Sequence, residues 1–230
     1  MKLLAIDTST EACSAALLID DEIDTKFELA PQKHSQLILP MCEALLQENS
    51  ITLQDLDAIA FAQGPGSFTG LRIAAGVTQG LAFGADLPVI GISTLEALAY
   101  EALCKHPDAS IISAIDARMS EVYWAEYSLN NYNSIIAAGS EQVGKPDVVF
   151  SQSKREIVTI GSGWKVYKED FVAFVKTHNI IQSYPDALPS AKLIVQLAVK
   201  KWLNKELKKA EEALPVYLRN NVAKKSVIKE

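Results

Sequence analysis

The chain has 230 residues, 49% of them hydrophobic, and a formal charge of −6, enough to bury a sizeable core in one large domain or two small lobes. Near-average glycine and proline (11 and 9) and the lack of any repeat at a solenoid period exclude disordered and repeat-array classes. The charge is uneven: residues 192–230 carry ten Lys/Arg against four Asp/Glu, the rest twelve against twenty-four, so a polyanion could touch the basic tail while the acidic body repels it.

The first residues, MKLLAIDTST, hold one lysine and then an apolar run of four, Leu3 to Ile6, before Asp7, too short a run for a signal peptide or a membrane span; a cytosolic protein with no membrane partner is expected. Residues 2–6, 12–19 and 22–29 read as strands, the last two joined by the acidic turn Asp20-Asp21, which makes a three-strand meander. Residues 34–48 and 70–83 read as helices, with strands at 57–62 and 88–92 and a third helix at 94–103. A second lobe begins near His106-Pro-Asp-Ala109, with strands at 111–115, 121–129, 134–138 and 156–160 and helices at 166–176 and 190–212. The lobes are set at residues 1–107 and 108–230, the last helix being free to return to the first lobe. A meander followed by alternating strand and helix, begun twice, predicts a duplicated α/β architecture. Cys13, Cys42 and Cys104 are odd in number and far apart, which argues against a disulfide framework or a paired-cysteine zinc site, and they read as buried thiols. Tyr123, Trp124 and Tyr127 read as core and sheet-face residues.

After the apolar run 56–61 comes AQGPGSFTGLR (residues 62–72), a glycine turn between strand and helix, where backbone N–H groups and a helix dipole can hold an anion. A Walker loop needs Lys and a hydroxyl residue after its last glycine, but Gly70 is followed by Leu71 and Arg72. The turn therefore reads either as structural, with Ser67 or Thr69 capping the helix, or as a residual anion contact through Gly66 and Ser67.

The stretches AIDTST (5–10), AQGPGSFTGLRIAAG (62–76), AIDARMSEVYWAEY (114–127) and, more loosely, LPVYLRN (214–220) give the chain a close resemblance to the TsaB (YeaZ) family of bacterial tRNA threonylcarbamoyladenosine biosynthesis proteins. The resemblance implies an α/β fold of the two-lobed actin-like ATPase type (ASKHA, RNase H-like). It also implies a non-catalytic role as partner of a TsaD-like subunit, which transfers the threonylcarbamoyl group to the adenosine next to the anticodon of tRNAs. A TsaE-like ATPase joins the larger complex. In that setting residues 7–9 (Asp7, Thr8, Ser9) correspond to a first phosphate loop and Asp116 with Arg118 to a second. Asp7 reads as a strand-end acceptor or a catalytic carboxylate. Asp116 and Arg118 read as a nucleotide-facing pair, or as an ion pair bracketing a turn with Arg118 bonding across the interlobe cleft.

Catalytic relatives carry two histidines one helical turn apart after the strand equivalent to 89–92, a spacing suited to one metal. Here that helix reads STLEALA (93–99), and His34, His106 and His178 stand alone in separate segments. The adenosine turn of those relatives is matched only by Gly161-Ser-Gly163, followed by the bulky Trp164. No metal, cofactor or catalytic residue is expected; an ATP-dependent phosphotransferase or a metallopeptidase of the same superfamily is the alternative.

The two N-terminal helices are more telling. On a helical wheel Leu37, Ile38, Leu39, Met41, Cys42, Leu45 and Leu46 cover roughly 200°, wider than the roughly 100° of an ordinary core stripe. The second helix has Arg72 as its only charge and sets Gly76 and Gly80 on one face, where small residues permit close helix approach. A partner interface is expected at Leu37, Ile38, Met41, Leu45, Ile73, Ala74, Gly76, Val77, Gly80 and Leu81. Homodimerisation through the same helices and direct tRNA contact stay open. Lys200, Lys201, Lys208 and Lys209 form either a solvated helix face or a tRNA-facing patch.

Overall fold

The computed structural model describes residues 1–219; residues 220–230, the end of the basic tail, lie outside the described residues. Leu4 and Ile6 alternate with Leu3 and Ala5 along β1 (Lys2–Asp7), and all four are fully buried, because the alternation of a strand feeds two covered faces at once. β2 (Ala12–Ile19) pairs antiparallel with β1 and with β3 (Glu22–Leu29), an exposed edge strand. Ile19 faces Glu22 across the two-residue turn, where Asp20 takes φ 54°, a left-handed position that Asp tolerates. Helix α1 (His34–Glu48) leads to β4 (Ala58–Gly64), α2 (Phe68–Gly84) and β5 (Val89–Ser93). The sheet order is β3-β2-β1-β4-β5, with β4 and β5 parallel to β1. One face packs on α1 and α2 through Leu4, Ile6, Ile38, Leu45, Phe61 and Ala74.

Helix α3 (Thr94–Lys105) precedes β6 (Ser110–Asp116), β7 (Val122–Leu129), β8 (Ile135–Ala137) and β9 (Gln142–Gly144). Then come β10 (Ile157–Ile160), α4 (Gly163–Val166), α5 (Val172–Thr177), β11 (Ile180–Tyr184) and α6 (Ala191–Leu203). The second sheet runs β11-β10-β6-β7-β8, with β9 on β7. It repeats the first: an antiparallel meander whose first strand is continued on its other side by two parallel strands in succession. The helices are exchanged. The buried face of α3 (Leu95, Leu98, Ala99, Ala102) joins the cluster of β6, β7 and β10, although the 107/108 division counts it with the first lobe. α6 crosses back to the first sheet, where Ile194, Val195 and Ala198 cover Leu3, Ala5 and Ala60. The far face of the second sheet is filled by Trp164, Phe171 and Phe174.

Three expectations need correction. The helix read at 166–176 is two short ones, because the chain bends after Tyr167 to stack Trp164 on Phe171 at 4.0 Å. The helix read at 190–212 stops at Leu203: Lys205 turns left-handed (φ 59°), the Glu206 N–H donates to the Lys201 carbonyl, and Lys208 pairs with Val89, an ending of Schellman type. Cys104 is exposed, on the outer side of α3, while Cys13 and Cys42 are buried, and burial pushes their thiols up to about 11 and about 12. Edge strand β11, mostly exposed, was not legible from its sequence. Trp124 and Tyr127 lie in the core.

Leu98 is fully buried in α3, its side chain against the second sheet and beside Gly161. Leu98→Ala should leave a cavity costing about 2–5 kcal/mol, read as a lower urea midpoint with an unchanged slope.

Candidate functional site

The lobes face each other across a cleft of about 790 Å³. One wall is the junction of β1 with α2. The Thr8 hydroxyl donates to the Gly70 carbonyl and the Ser67 N–H to the Ser9 carbonyl, both at 2.7 Å. Glycine is required here by space: a Cβ on Gly66 would collide with the Ser9 carbonyl oxygen, and one on Gly70 with that of Thr8. Ser67 caps α2 by accepting from the Gly70 N–H at 3.3 Å, which starts the helix at Phe68 and selects Ser67 over Thr69. The Gly64–Pro65 peptide is cis, and Gly64 takes φ 112°.

Asp7 and Thr8 lie beneath the lining, 1% and 0% exposed, while Ser9, Gly66, Ser67, Asp116 and Arg118 line the cleft. Asp7 Oδ1 accepts the Ser9 N–H at 2.8 Å. Its Oδ2, the Ser9 hydroxyl and His34 Nε2 are buried without a partner among the described residues. Burial drives the Asp7 carboxyl above the usual carboxylate range, against the opposing pull of Ser9, whose N–H it accepts, and of His34. His34 lines the cleft from the first turn of α1, a position that its isolation in the sequence did not reveal.

The opposite wall is the β6–β7 loop. Asp116 accepts the Arg118 N–H and the Arg118 guanidinium, each at 2.8 Å, and the Tyr167 hydroxyl at 2.7 Å. Burial first, and Asp116 second, push the Tyr167 phenol up to about 12, so it remains a donor through the neutral range. Arg118 does not cross the cleft: its side chain is 86% exposed and stays with Asp116. Arg219 crosses instead, bonding the Glu121 carboxylate and, at 3.5 Å, the Arg118 carbonyl. Arg118, Met119 and Ser120 take φ of 60°, 57° and 60°, a run that costs roughly 1–2 kcal/mol per residue for L side chains. Sequence reading missed Arg219 and Tyr217 as cleft residues, although they stand in the LPVYLRN stretch.

Gly161 and Gly163 are packing positions: a Cβ on either would stand 2.5 Å and 3.1 Å from atoms of Ala114. Trp164 is buried, its indole N–H donating to the Ile112 carbonyl at 3.1 Å. His106 meets the Tyr184 hydroxyl at 2.8 Å and His178 stacks on Phe174 at 4.0 Å. Among the described residues no group of three or more His, Cys, Asp or Glu is placed to hold a metal ion, and no helix is long and apolar enough to cross a membrane.

The α1–α2 surface is the second feature. Ile38, Leu45 and Ala74 are fully buried in the chain's own core and have nothing to offer a partner, a correction to their place in the expected interface. Leu37, Met41, Ile73, Val77 and Leu81 are half-buried at its border. Gly76 and Gly80 are exposed, and a Cβ on either would meet nothing within 4 Å. Beside them Phe83 is 82% and Leu39 47% exposed, and a groove of about 380 Å³ runs between Leu39, Leu46, Leu53 and Leu81. Of the four lysines, Lys200, Lys208 and Lys209 are exposed, whereas Lys201 donates to the Gly91 carbonyl at 3.0 Å.

A family model described as TsaD, tRNA N6-adenosine threonylcarbamoyltransferase, matches residues 26–227. The tRNA threonylcarbamoyladenosine biosynthesis proteins TsaB of Escherichia coli (strain K12) and Haemophilus influenzae are each 41% identical to this chain, over 99% of it and over 98% and 97% of their own lengths. The solved structure of YeaZ from Pseudomonas aeruginosa matches with a TM-score of 0.85 and 41% identity, covering 94% of this chain and 99% of that one. The architecture is the two-lobed actin-like (ASKHA, RNase H-like) α/β fold.

The buried Asp7 makes a pH prediction. A carboxyl whose folded pKa is raised binds its proton more tightly in the native state, so its contribution is complete at low pH and is lost as pH rises through the folded value. Asp7→Asn should therefore raise the melting temperature near neutral pH and lose that advantage in acid; melts across pH 3–8 read the difference.

Proposed function

The chain belongs to the TsaB (YeaZ) proteins within the TsaD family, and we propose on that premise that it is a non-catalytic subunit of the cytoplasmic machinery that puts a threonylcarbamoyl group on the adenosine next to the anticodon of tRNAs. Its partner is a TsaD-like subunit, and a TsaE-like ATPase acts with the pair in the larger assembly. The observation that carries the reading is the open glycine face of α2 beside α1. Gly76 and Gly80 cost about 1 kcal/mol each relative to alanine in a helix, and among the described residues they make room for nothing. Close approach of a partner helix gives those positions a use, with Leu37, Met41, Ile73, Val77 and Leu81 bordering the contact and Leu39 and Phe83 covered by it. With no partner present, a second copy can use the same face.

The absence of paired histidines from the 93–99 stretch and the packing of Gly161, Gly163 and Trp164 favour a subunit without chemistry of its own. One observation favours residual ligand contact: the Ser9 hydroxyl and His34 Nε2 stand unpartnered by the start of α2, where an anion would find free N–H groups. Isothermal titration with ATP and magnesium separates the two. No turnover is expected, and turnover abolished by Asp7→Ala would establish the phosphotransferase alternative.

Gly76→Arg is the decisive variant for the interface. The isolated fold has room for the side chain, and leaving glycine should hold or slightly raise the melting temperature. In the pair it buries an unpaired charge between helices, a cost of about 3–5 kcal/mol, or more than about hundredfold in affinity. Size-exclusion with the TsaD-like subunit should show the complex lost. Co-elution at wild-type affinity would place the interface elsewhere.

A further inference from the structure

We infer that the C-terminal strap, residues 213–219, is a latch that holds the interlobe cleft closed by fastening the β6–β7 loop to the N-terminal lobe. The strap has two halves with different attachments. Its first half belongs to the N-terminal lobe: the Val216 N–H donates to the Gln63 carbonyl at 2.7 Å, and the Gln79 amide donates to the Ala213 carbonyl at 3.1 Å. Tyr217 packs against Phe68 in a tilted arrangement, ring centroids 5.3 Å apart, and accepts from Arg72 Nε at 3.2 Å. The end of β4 is shaped around it, since a Cβ on Gly64 would stand 2.8 Å from the Val216 carbonyl oxygen.

The second half reaches the other lobe through one side chain. Arg219 bonds the Glu121 carboxylate, the Arg118 carbonyl and Met119 Sδ, and its side chain is only 16% exposed. Val216, Tyr217, Leu218 and Arg219 thereby wall the cleft. The loop that Arg219 grips holds three consecutive left-handed residues, a conformation that persists only where surrounding contacts impose it. Asp116 imposes it from within the loop, and Arg219 from across the cleft. Elsewhere the lobes are joined by the exchanged helices and by Glu141, which accepts from the Ser93 and Tyr127 hydroxyls. Releasing Arg219 frees the loop to relax and the strap to swing, opening the cleft while leaving those joints in place. Glu121 is 35% exposed, so salt weakens the latch by screening.

The test uses the full chain. Amide exchange followed by NMR should be about tenfold faster in Arg219→Gln and in Glu121→Gln at Ala117 and Glu121, whose N–H groups close the loop. The Val216 amide, bonded to Gln63 on the first lobe, should keep its protection. Spin labels at Lys33→Cys and Lys168→Cys, exposed sites beside the two walls, in a Cys104→Ser background, should report a longer interlobe distance in both variants. The charge swap Glu121→Arg with Arg219→Glu should bring both readings back toward wild type. Wild-type exchange and distance in both single variants would overturn the latch. Loss of Val216 protection with a lower melting temperature in Glu121→Gln would also overturn it, making the contact part of the general fold. If Arg219→Gln does not fold, Glu121→Gln decides, because it breaks the same contact from the other lobe.

Discussion

The close docking of the end of β1 against the first turn of α2 sets the position of the cleft, the strap and the outer face of α2. The Ser9 carbonyl accepts the Ser67 N–H and the Thr8 hydroxyl donates to the Gly70 carbonyl, and a Cβ on Gly66 or Gly70 would strike the carbonyl oxygen of Ser9 or Thr8, so the contact has no slack to repack. That fixes the direction in which α2 leaves the sheet. One side of the helix must then bury Leu71, Ala74, Ala75, Thr78 and Ala82, and the opposite side must show Arg72, Gly76 and Gly80. The same junction puts Ser9, Ser67 and Phe68 on the cleft and gives the strap its platform of Phe68, Arg72 and Gln79. Cleft, strap and outer face are consequences of one contact.

The exchange of α3 and α6 gives the lobes a joint that cannot simply come apart. α3 is continuous with β5 of the first sheet yet its apolar face serves the second, and α6 follows the second sheet yet closes the first. Pulling the lobes apart would expose part of both cores, a cost of about 1.5–3 kcal/mol for each large side chain uncovered. Relative motion is therefore confined to rotation that keeps those faces packed, and the cleft side, lined by polar loops and bridged by Arg219, is where the molecule is free to change.

Much of this was legible because local rules decide it. Strand alternation, the acidic two-residue turn and the glycine-serine start of α2 each act within a few residues, so β1 to β5 and α1 to α3 come close to their observed bounds. What was not legible depends on partners distant in sequence. A helical wheel gives the width of an apolar arc but not which part the core takes, so Ile38, Leu45 and Ala74 were expected at a surface that does not contain them. The Asp116 and Arg118 spacing announced an ion pair, but the residue that spans the cleft stands about a hundred positions later, at Arg219. Edge strand β11 lacks a buried face, and α6 stops where Lys208 pairs with β5. Neither fact has a local signature.

The glycines of α2 show how a cost in one chain points beyond it. Gly66 and Gly70 are forced by the docking of α2, since any Cβ would strike a carbonyl oxygen. Gly76 and Gly80 are forced by nothing in the fold, yet together they weaken the helix by about 2 kcal/mol against alanine. Against a typical domain stability of about 5–15 kcal/mol that is a substantial sacrifice, and Phe83 and Leu39 nearby stand exposed among the described residues. Local helix preference and the packing of the described residues both favour alanine at these positions, which is what the proposed interface accounts for. In the proposed assembly, a helix of a second molecule brought to backbone distance is a requirement that glycine satisfies and alanine does not. Gly66, just before the helix, and Gly70, in its first turn, are explained wholly by the fold, whereas Gly76 and Gly80 further along are explained by the proposed partner contact.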